Sequence, residues 1–124
     1  MATFPCPCCG YLTSSSPGSY DICPVCGWED DLSQLRFANS PGGANRLSLR
    51  DAQRNFAEHG FSDPELVVDG KLQVQSAQGF TRDPSWRALQ PADVEEPEPG
   101  VDSGTTYPAD AEQLYYWRPT FWRR

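Results

Sequence analysis

The sequence predicts a small metal-stapled α+β fold, in which a bound metal ion compensates for a small hydrophobic core. Three observations predict it. All five cysteines of the 124-residue chain lie between Phe4 and Trp28, one segment near the middle has helical periodicity, and only 38% of the residues are hydrophobic. A chain with so few apolar residues usually needs a metal, disulfides or a partner to stabilise its fold.

The cysteines form an internal repeat. The segments CPCCGY at residues 6–11 and CPVCGW at residues 23–28 share the pattern Cys-Pro-x-Cys-Gly-aromatic. Each copy is a short turn that directs two sulfurs to one centre, and the overall spacing Cys-x2-Cys-x13-Cys-x2-Cys is typical of a four-cysteine zinc ribbon with short β-hairpins. We expect one structural Zn²⁺, although four thiolates also suit iron. The predicted metal ligands are Cys6, Cys9, Cys23 and Cys26.

The fifth cysteine, Cys8, falls at the position of Val25 in the second copy of the repeat. This register makes Cys8 a non-ligating thiol, with reactivity near the metal as one hypothesis for its role. Pairing Cys6 with Cys8 instead stays an alternative, because the sequence alone does not fix the ligands within a dense run of cysteines. Redox cycling of a Cys-x-x-Cys pair is a further alternative, but such motifs usually open a helix in a βαβ context and the sequence predicts no such helix after either copy.

A helix is predicted beside the ribbon, at about residues 48–59. Ser48 is a favourable N-cap, apolar residues then recur with helical spacing, and Gly60 is a typical residue at the C-terminal end. The acidic triplet at residues 29–31 is predicted to be a solvated rim. These features make a single α-helix the main regular element that packs on the ribbon.

The second half carries weaker signals. Two apolar-alternating runs flank Asp69-Gly70, which predicts a β-hairpin at about residues 65–75. Trp86 is expected to be a packing anchor. Residues 91–106 are rich in Pro, Gly and acidic residues, which predicts an extended, mobile linker. The regions are thus a ribbon at 1–32, a helix and hairpin at 33–90, this linker, and a C-terminal segment at 107–124.

The C-terminal segment is unusually aromatic, and a short helix is predicted at about residues 109–117. Three destinations are open for its apolar groups: the core of the same chain, a partner or second copy of the chain, or single-stranded nucleic acid or a membrane surface. The candidate interaction residues are Tyr115, Tyr116, Trp117, Arg118, Phe121 and Trp122.

Charge and targeting signals narrow the function. The net charge of −7 disfavours generic binding to nucleic acid and suits a basic partner. The N-terminus has no signal-peptide pattern, and no apolar run approaches the roughly 18 residues of a membrane-spanning helix. We therefore expect a cytoplasmic protein, where thiols stay reduced and are available to a metal.

A family resemblance adds to this interpretation. The segments CPCCGY, ICPVCGWEDD, GGANRLSLRDAQRNF and HGFSD occur in order within residues 4–63, and together they resemble the CPCC-type cysteine-rich family of small bacterial zinc-ribbon-like proteins. The resemblance implies a metal-bound small domain with Cys6, Cys9, Cys23 and Cys26 as ligands, and a loop and helix packed beside the ribbon. It implies no catalytic residue.

The functional prediction is a non-enzymatic interaction module, because no combination of nucleophile, base and oxyanion donor is visible. A compact acidic protein of this kind suits a basic protein partner, as an immunity protein suits a toxin. One alternative is a thiol-based redox or metal sensor built on Cys8 and the metal thiolates. Another is nucleic-acid binding through the arginine and aromatic residues of the C-terminal segment. The same segment is also a candidate site of self-association.

Overall fold

The computed structural model describes residues 4–68, 77–100 and 106–123. Its one sheet is an antiparallel pair of short strands, β1 (Phe4–Pro5) and β2 (Leu12–Ser14), which flank the first cysteine turn. The register places Phe4 opposite Ser14 and Pro5 opposite Leu12, with an irregularity between Phe4 and Pro5. The second cysteine turn is flanked by a single bridge between Ile22 and Glu29. The regular β-structure around the cysteines is therefore minimal.

A short helix that the sequence did not predict, α1 (Leu32–Arg36), follows the second cysteine turn. Its N-cap is Asp31, whose Oδ1 accepts hydrogen bonds from the backbone N–H of Ser33 at 2.8 Å and of Gln34 at 3.3 Å. The prediction of a solvated acidic rim is wrong for Asp30 and Asp31, which are buried. Both carboxylates are buried because each accepts several hydrogen bonds that replace water.

The predicted central helix is present as α2 (Leu49–His59). The hydroxyl of Ser48 accepts from the N–H of Asp51 at 3.1 Å. Gly60 ends the helix with φ of 86°, and its N–H donates to the carbonyl of Phe56. The helix buries Leu49, Ala52 and Gln53 against the cysteine turns.

The predicted hairpin is wrong where the structure describes it. Residues 64–68 form a helix, α3 (Pro64–Val68), instead of the first strand. Pro64 suits a first helical position, and the carboxylate of Asp63 accepts from the N–H of Glu65 at 3.1 Å, as a helix cap does. The predicted turn at Asp69-Gly70 and the second strand lie outside the described residues.

The predicted linker is not extended and mobile over its first residues. Pro91–Asp93 form a 3₁₀ turn. Asp93 is 6% exposed and accepts two hydrogen bonds from Arg87, at 2.6 and 3.0 Å. Glu95 binds the buried guanidinium of Arg36. These ion pairs fix the segment to the fold, because each has one partner that is shielded from water, the Asp93 carboxylate in one and the Arg36 guanidinium in the other.

The C-terminal segment packs into the core of its own chain. A 3₁₀ turn at Ala111–Leu114 replaces the predicted helix, and further turns follow in which the N–H of Trp122 donates to the carbonyl of Gln113 at 2.9 Å. The ring of Trp117 contacts two tyrosine rings at centroid distances of 4.8 and 5.0 Å. The fold therefore has one core, made of the cysteines, apolar residues of α1 and α2, and the C-terminal aromatic rings.

Among the described residues, no helix has both the length and the apolar character that a membrane crossing requires.

Candidate metal centre

The two cysteine turns have the same backbone structure. In the first, the N–H of Gly10 donates to the carbonyl of Cys6 at 2.7 Å, and in the second, Gly27 donates to Cys23 at 2.8 Å. Each turn then closes with a bond of 2.8 Å from its first cysteine N–H to the carbonyl of the aromatic residue. Both glycines have positive φ, 82° and 87°, a conformation that favours glycine. The sequence repeat is thus also a structural repeat.

The turns bring four buried sulfur atoms together, those of Cys6, Cys9, Cys23 and Cys26. The four Sγ atoms lie within 4.8 Å of one another, and the closest cross-turn pairs are Cys6–Cys26 at 3.6 Å and Cys9–Cys23 at 3.7 Å. Zinc–sulfur bonds of about 2.3 Å give a tetrahedron whose edges are about 3.8 Å. None of the sulfurs forms a disulfide. The group can therefore hold one metal ion with little rearrangement.

The electrostatics of the cluster favour a cation at its centre. Burial raises the pKa of the Cys6 and Cys26 thiols well above the ordinary value. Hydrogen bonds from the neighbouring sulfurs, first that of Cys26, lower the pKa of Cys23. Four thiolates packed this closely repel one another, so a bound divalent cation would offset both the repulsion and the burial. Binding would also release the thiol protons, which makes metal affinity depend on pH.

Two donors surround the cluster as an outer shell. The hydroxyl of Thr13, on β2, lies 3.2 Å from the sulfur of Cys23, and the N–H of Trp28 lies 3.4 Å from the sulfur of Cys26. Hydrogen bonds of this kind orient thiolate ligands and reduce their charge. Thr13 could not be predicted as such a donor, because nothing in a lone threonine of a polar loop identifies it as a partner of a sulfur.

Cys8 lies beside the cluster and outside the four-residue group. Its side chain is fully buried, like that of Val25 at the equivalent position of the second turn. Burial, more than any neighbour, raises the pKa of the Cys8 thiol, although a hydrogen bond with Cys26 acts in the opposite direction. Since Cys9 lies with Cys23 inside the group, the arrangement favours the Cys6–Cys9 pairing over the alternative with Cys8.

Residues far from the first turn in the sequence support it. The carbonyl of Pro7 accepts a hydrogen bond of 3.0 Å from the Gln53 side chain and another of 3.0 Å from the indole N–H of Trp86. The guanidinium of Arg82 donates to the carbonyl of Cys9 at 2.8 Å. Trp86 is thus a packing anchor, as expected. Gln53 and Arg82 were missed, because their partners are 46 and 73 residues away in the sequence.

The predicted interaction residues of the C-terminal segment do not form an exposed surface. Arg118 pairs with Asp83 at 3.4 Å, and the half-buried ring of Trp122 lies 5.0 Å from the guanidinium of Arg36. Aromatic rings are stabilised by burial in the available core, which here includes the cysteine turns. The four remaining candidates are at most 8% exposed: Tyr115, Tyr116, Trp117 and Phe121.

Comparison with known proteins identifies the family. The family model described as cysteine-rich CPCC matches residues 4–76, which is more than half of the chain and extends 13 residues beyond the resemblance seen in the sequence. No curated protein gives a significant match. The matched region contains all four clustered cysteines and helices α1 to α3. The chain belongs to the cysteine-rich CPCC family.

Proposed function

We propose that this protein binds one structural Zn²⁺ through Cys6, Cys9, Cys23 and Cys26, and that it acts as a non-catalytic module that binds another protein. The observation that carries the proposal is the group of four buried sulfurs within 4.8 Å of one another. When four protein thiolates fill a tetrahedral site, no position is left for water or substrate, which is characteristic of structural zinc.

The metal would supply much of the stability of the fold. Structural zinc sites contribute on the order of 10–16 kcal/mol of apparent binding energy, which is also folding energy. The cysteine turns have little regular secondary structure to hold them otherwise. We also propose a cytoplasmic location, because free thiols persist in a reducing compartment.

The proposed partner is a basic protein. The chain carries 17 acidic against 10 basic residues, and a charge of this sign accelerates association with a positive surface. The rigid metal-bound turns would present that surface in a fixed geometry. Neutralisation of a basic toxin by a cognate immunity protein is one specific case of such an interaction.

The alternatives have less support. A sensor based on Cys8 requires an accessible thiol, whereas Cys8 is fully buried. Binding of nucleic acid through the C-terminal segment requires exposed rings for stacking, whereas Tyr115, Tyr116 and Trp117 are buried.

Metal analysis tests the first half of the proposal. We expect native mass spectrometry and elemental analysis of the purified full chain to find one zinc per chain. Cys26→Ser should lose most of it, and Cys8→Val, the matched control, should keep it. A metal-free folded chain, or stoichiometric iron with its thiolate-to-iron absorption, would contradict the assignment of zinc.

A further inference from the structure

Residues 20–22, between the two cysteine turns, expose larger hydrophobic side chains than the rest of the described surface. Among the residues that the structure describes, the exposed large hydrophobic side chains are those of Tyr20 and Ile22, at 61% and 54%. They lie two residues apart, on either side of the exposed Asp21. An aromatic ring, a carboxylate and an aliphatic side chain are therefore offered together on one segment, which we call the 20–22 segment.

The backbone of this segment is strained. Tyr20 has φ of 63°, and it is the one non-glycine residue with positive φ in the described ranges. An aromatic residue pays a steric cost in this left-handed conformation. Burial does not explain its presence here, because the ring is mostly exposed. Strain at an exposed aromatic residue points to a role outside the packing of the fold.

The segment is nevertheless held rigidly. The N–H of Tyr20 donates to the carbonyl of Asp30 at 3.0 Å, and the N–H of Asp30 donates back to the carbonyl of Asp21 at 3.0 Å. The buried carboxylate of Asp30 also accepts from the N–H groups of Gly18 and Ser19, at 2.9 and 3.3 Å. A surface fixed before binding loses less conformational entropy when a partner docks.

A pocket of about 160 Å³ adjoins the segment, and Ile22 is part of its lining. Trp28 also lines it, and the indole N–H of Trp28 is buried without a hydrogen-bond partner in the described part of the molecule. Buried indole donors normally have a partner. Ala44 and Leu66 add apolar surface to the same pocket. The pocket thus has apolar residues along one wall, and its volume is in the size range of one side chain.

The charge of this region is negative. Among the described residues that line the pocket, the one cation is Arg46, which already pairs with Asp63 at 2.9 Å and with Glu65 at 3.2 Å. Glu29 lines the same pocket, and Asp21 lies next to Ile22 in the exposed segment. A second copy of this acidic chain, which carries a net charge of −7, would be repelled here.

We propose that the 20–22 segment and the adjacent pocket bind a basic segment of a partner protein. A lysine or arginine of the partner lies against the ring of Tyr20 and beside the carboxylate of Asp21. An aliphatic side chain of the partner packs on Ile22 and enters the pocket. This inference rests on the proposed interaction function and specifies its surface and its partner chemistry.

Selection from a phage-displayed library of random peptides tests this surface. The metal-loaded full chain is immobilised as the bait. Parallel selections use blank beads, two variants of the proposed surface and one control variant. Ile22→Asp removes the aliphatic group, and Tyr20→Gly removes the ring and also relieves the positive φ, so it should not destabilise the fold. Ala57→Asp adds the same carboxylate on the exposed side of α2 as the control. Metal content must match among all four proteins, and no variant may melt at a lower temperature than the wild type.

We expect the wild type and the control to enrich peptides that combine Lys or Arg with an aliphatic residue. A synthetic copy of the best peptide should bind at least about tenfold more weakly to Ile22→Asp and to Tyr20→Gly, and more weakly at ~1 M salt. Equal binding to the surface variants would overturn the inference and leave the interaction function standing on another surface. Enriched peptides without a basic residue, or dimerisation that Ile22→Asp abolishes, would also overturn it. No enrichment over blank beads would overturn both proposals.

Discussion

At the scale of single residues, the two cysteine turns explain why the chain has five cysteines around a centre that needs four. Cys8 and Val25 occupy equivalent positions of the repeat, and both are buried in the same core. The position therefore requires a small apolar side chain, and a thiol meets that requirement as well as an isopropyl group does. The ligand positions, in contrast, require sulfur.

Substitution of Cys8 separates these two requirements. We expect Cys8→Val to keep the metal content of the wild type and to lower the melting temperature only moderately, because one extra methyl-sized group in a packed core usually costs about 1–3 kcal/mol. Cys9→Ser should lose the metal and unfold at a lower temperature. Elemental analysis and thermal melts measure both. Loss of metal from Cys8→Val would instead make Cys8 a ligand.

Gly10 is a second residue whose role depends on its position. It has φ of 82°, and a Cβ atom there would lie 2.7 Å from Cγ of the Trp86 side chain. Gly60 has a similar φ of 86°, but a Cβ atom there would have open space around it. The pair therefore separates backbone strain from a steric clash.

We expect Gly10→Ala to lower the free energy of unfolding by more than Gly60→Ala, which should cost about 1 kcal/mol from backbone strain alone. The additional loss at Gly10 comes from displacing Trp86, whose indole N–H holds the carbonyl of Pro7. Urea denaturation of the metal-loaded proteins measures both costs. Equal costs would show that the contact with Trp86 can relax without penalty.

At the scale of elements, the parts that could be predicted from the sequence are those whose signals are local. The cysteine turns repeat within six residues, and α2 carries its own N-cap, period and terminal glycine. Helix α1 is five residues long, which is too short to show a helical period. Its N-cap, Asp31, lies in an acidic triplet, and such a triplet is typical of a solvated surface. Helix α3 replaces a predicted strand. The apolar run before Asp69-Gly70 favours a strand of a hairpin, whereas the Asp63–Pro64 start favours a helix.

Arg36, at the end of α1, connects this helix to the predicted linker at residues 91–106 and to the C-terminal segment. Its guanidinium donates to both carboxylate oxygens of Glu95, at 3.2 and 3.0 Å. It also lies within 5.0 Å of the ring centroids of Phe37, Tyr107 and Trp122. Cation–π contacts and a bidentate pair at one buried guanidinium favour arginine over lysine.

We expect Arg36→Ala to destabilise the protein by about 2–4 kcal/mol, because Glu95 loses its bidentate partner and three rings lose the guanidinium, while Arg123 remains 3.9 Å from the Glu95 carboxylate. Arg36→Lys should recover part of the loss, since it keeps the charge and loses the planar fork. The double variant Arg36→Ala with Glu95→Gln should be less destabilised than the sum of the single changes. Chemical denaturation measures the wild type and the four variants, which are Arg36→Ala, Arg36→Lys, Glu95→Gln and the double variant. Additive costs would mean that the ion pair contributes little to folding.

At the scale of the whole molecule, the metal centre and the C-terminal segment share one core. The sequence signals for these two parts are 79 residues or more apart, counted from Trp28 to Tyr107, so no local pattern could show that they meet. The structure connects them through side chains of the intervening residues. Gln53 donates to both the carbonyl of Pro7 and the hydroxyl of Tyr116, and Asp83 accepts from the indole of Trp117.

This shared core predicts that metal loss and release of the C-terminal segment are one cooperative event. A chelator that removes the ion should abolish the near-ultraviolet circular dichroism of the buried aromatic residues in the same transition, because the two cysteine turns would lose the ion that joins them and the core in which those rings pack would open. Conversely, a chain truncated after Thr106 should release its metal to the chelator at least about tenfold faster, because the rings that shield the cysteine turns are gone. A metal-sensitive dye follows the release and circular dichroism follows the rings. Two separate transitions, or an unchanged release rate after truncation, would show that the cysteine turns fold independently of the segment that covers them.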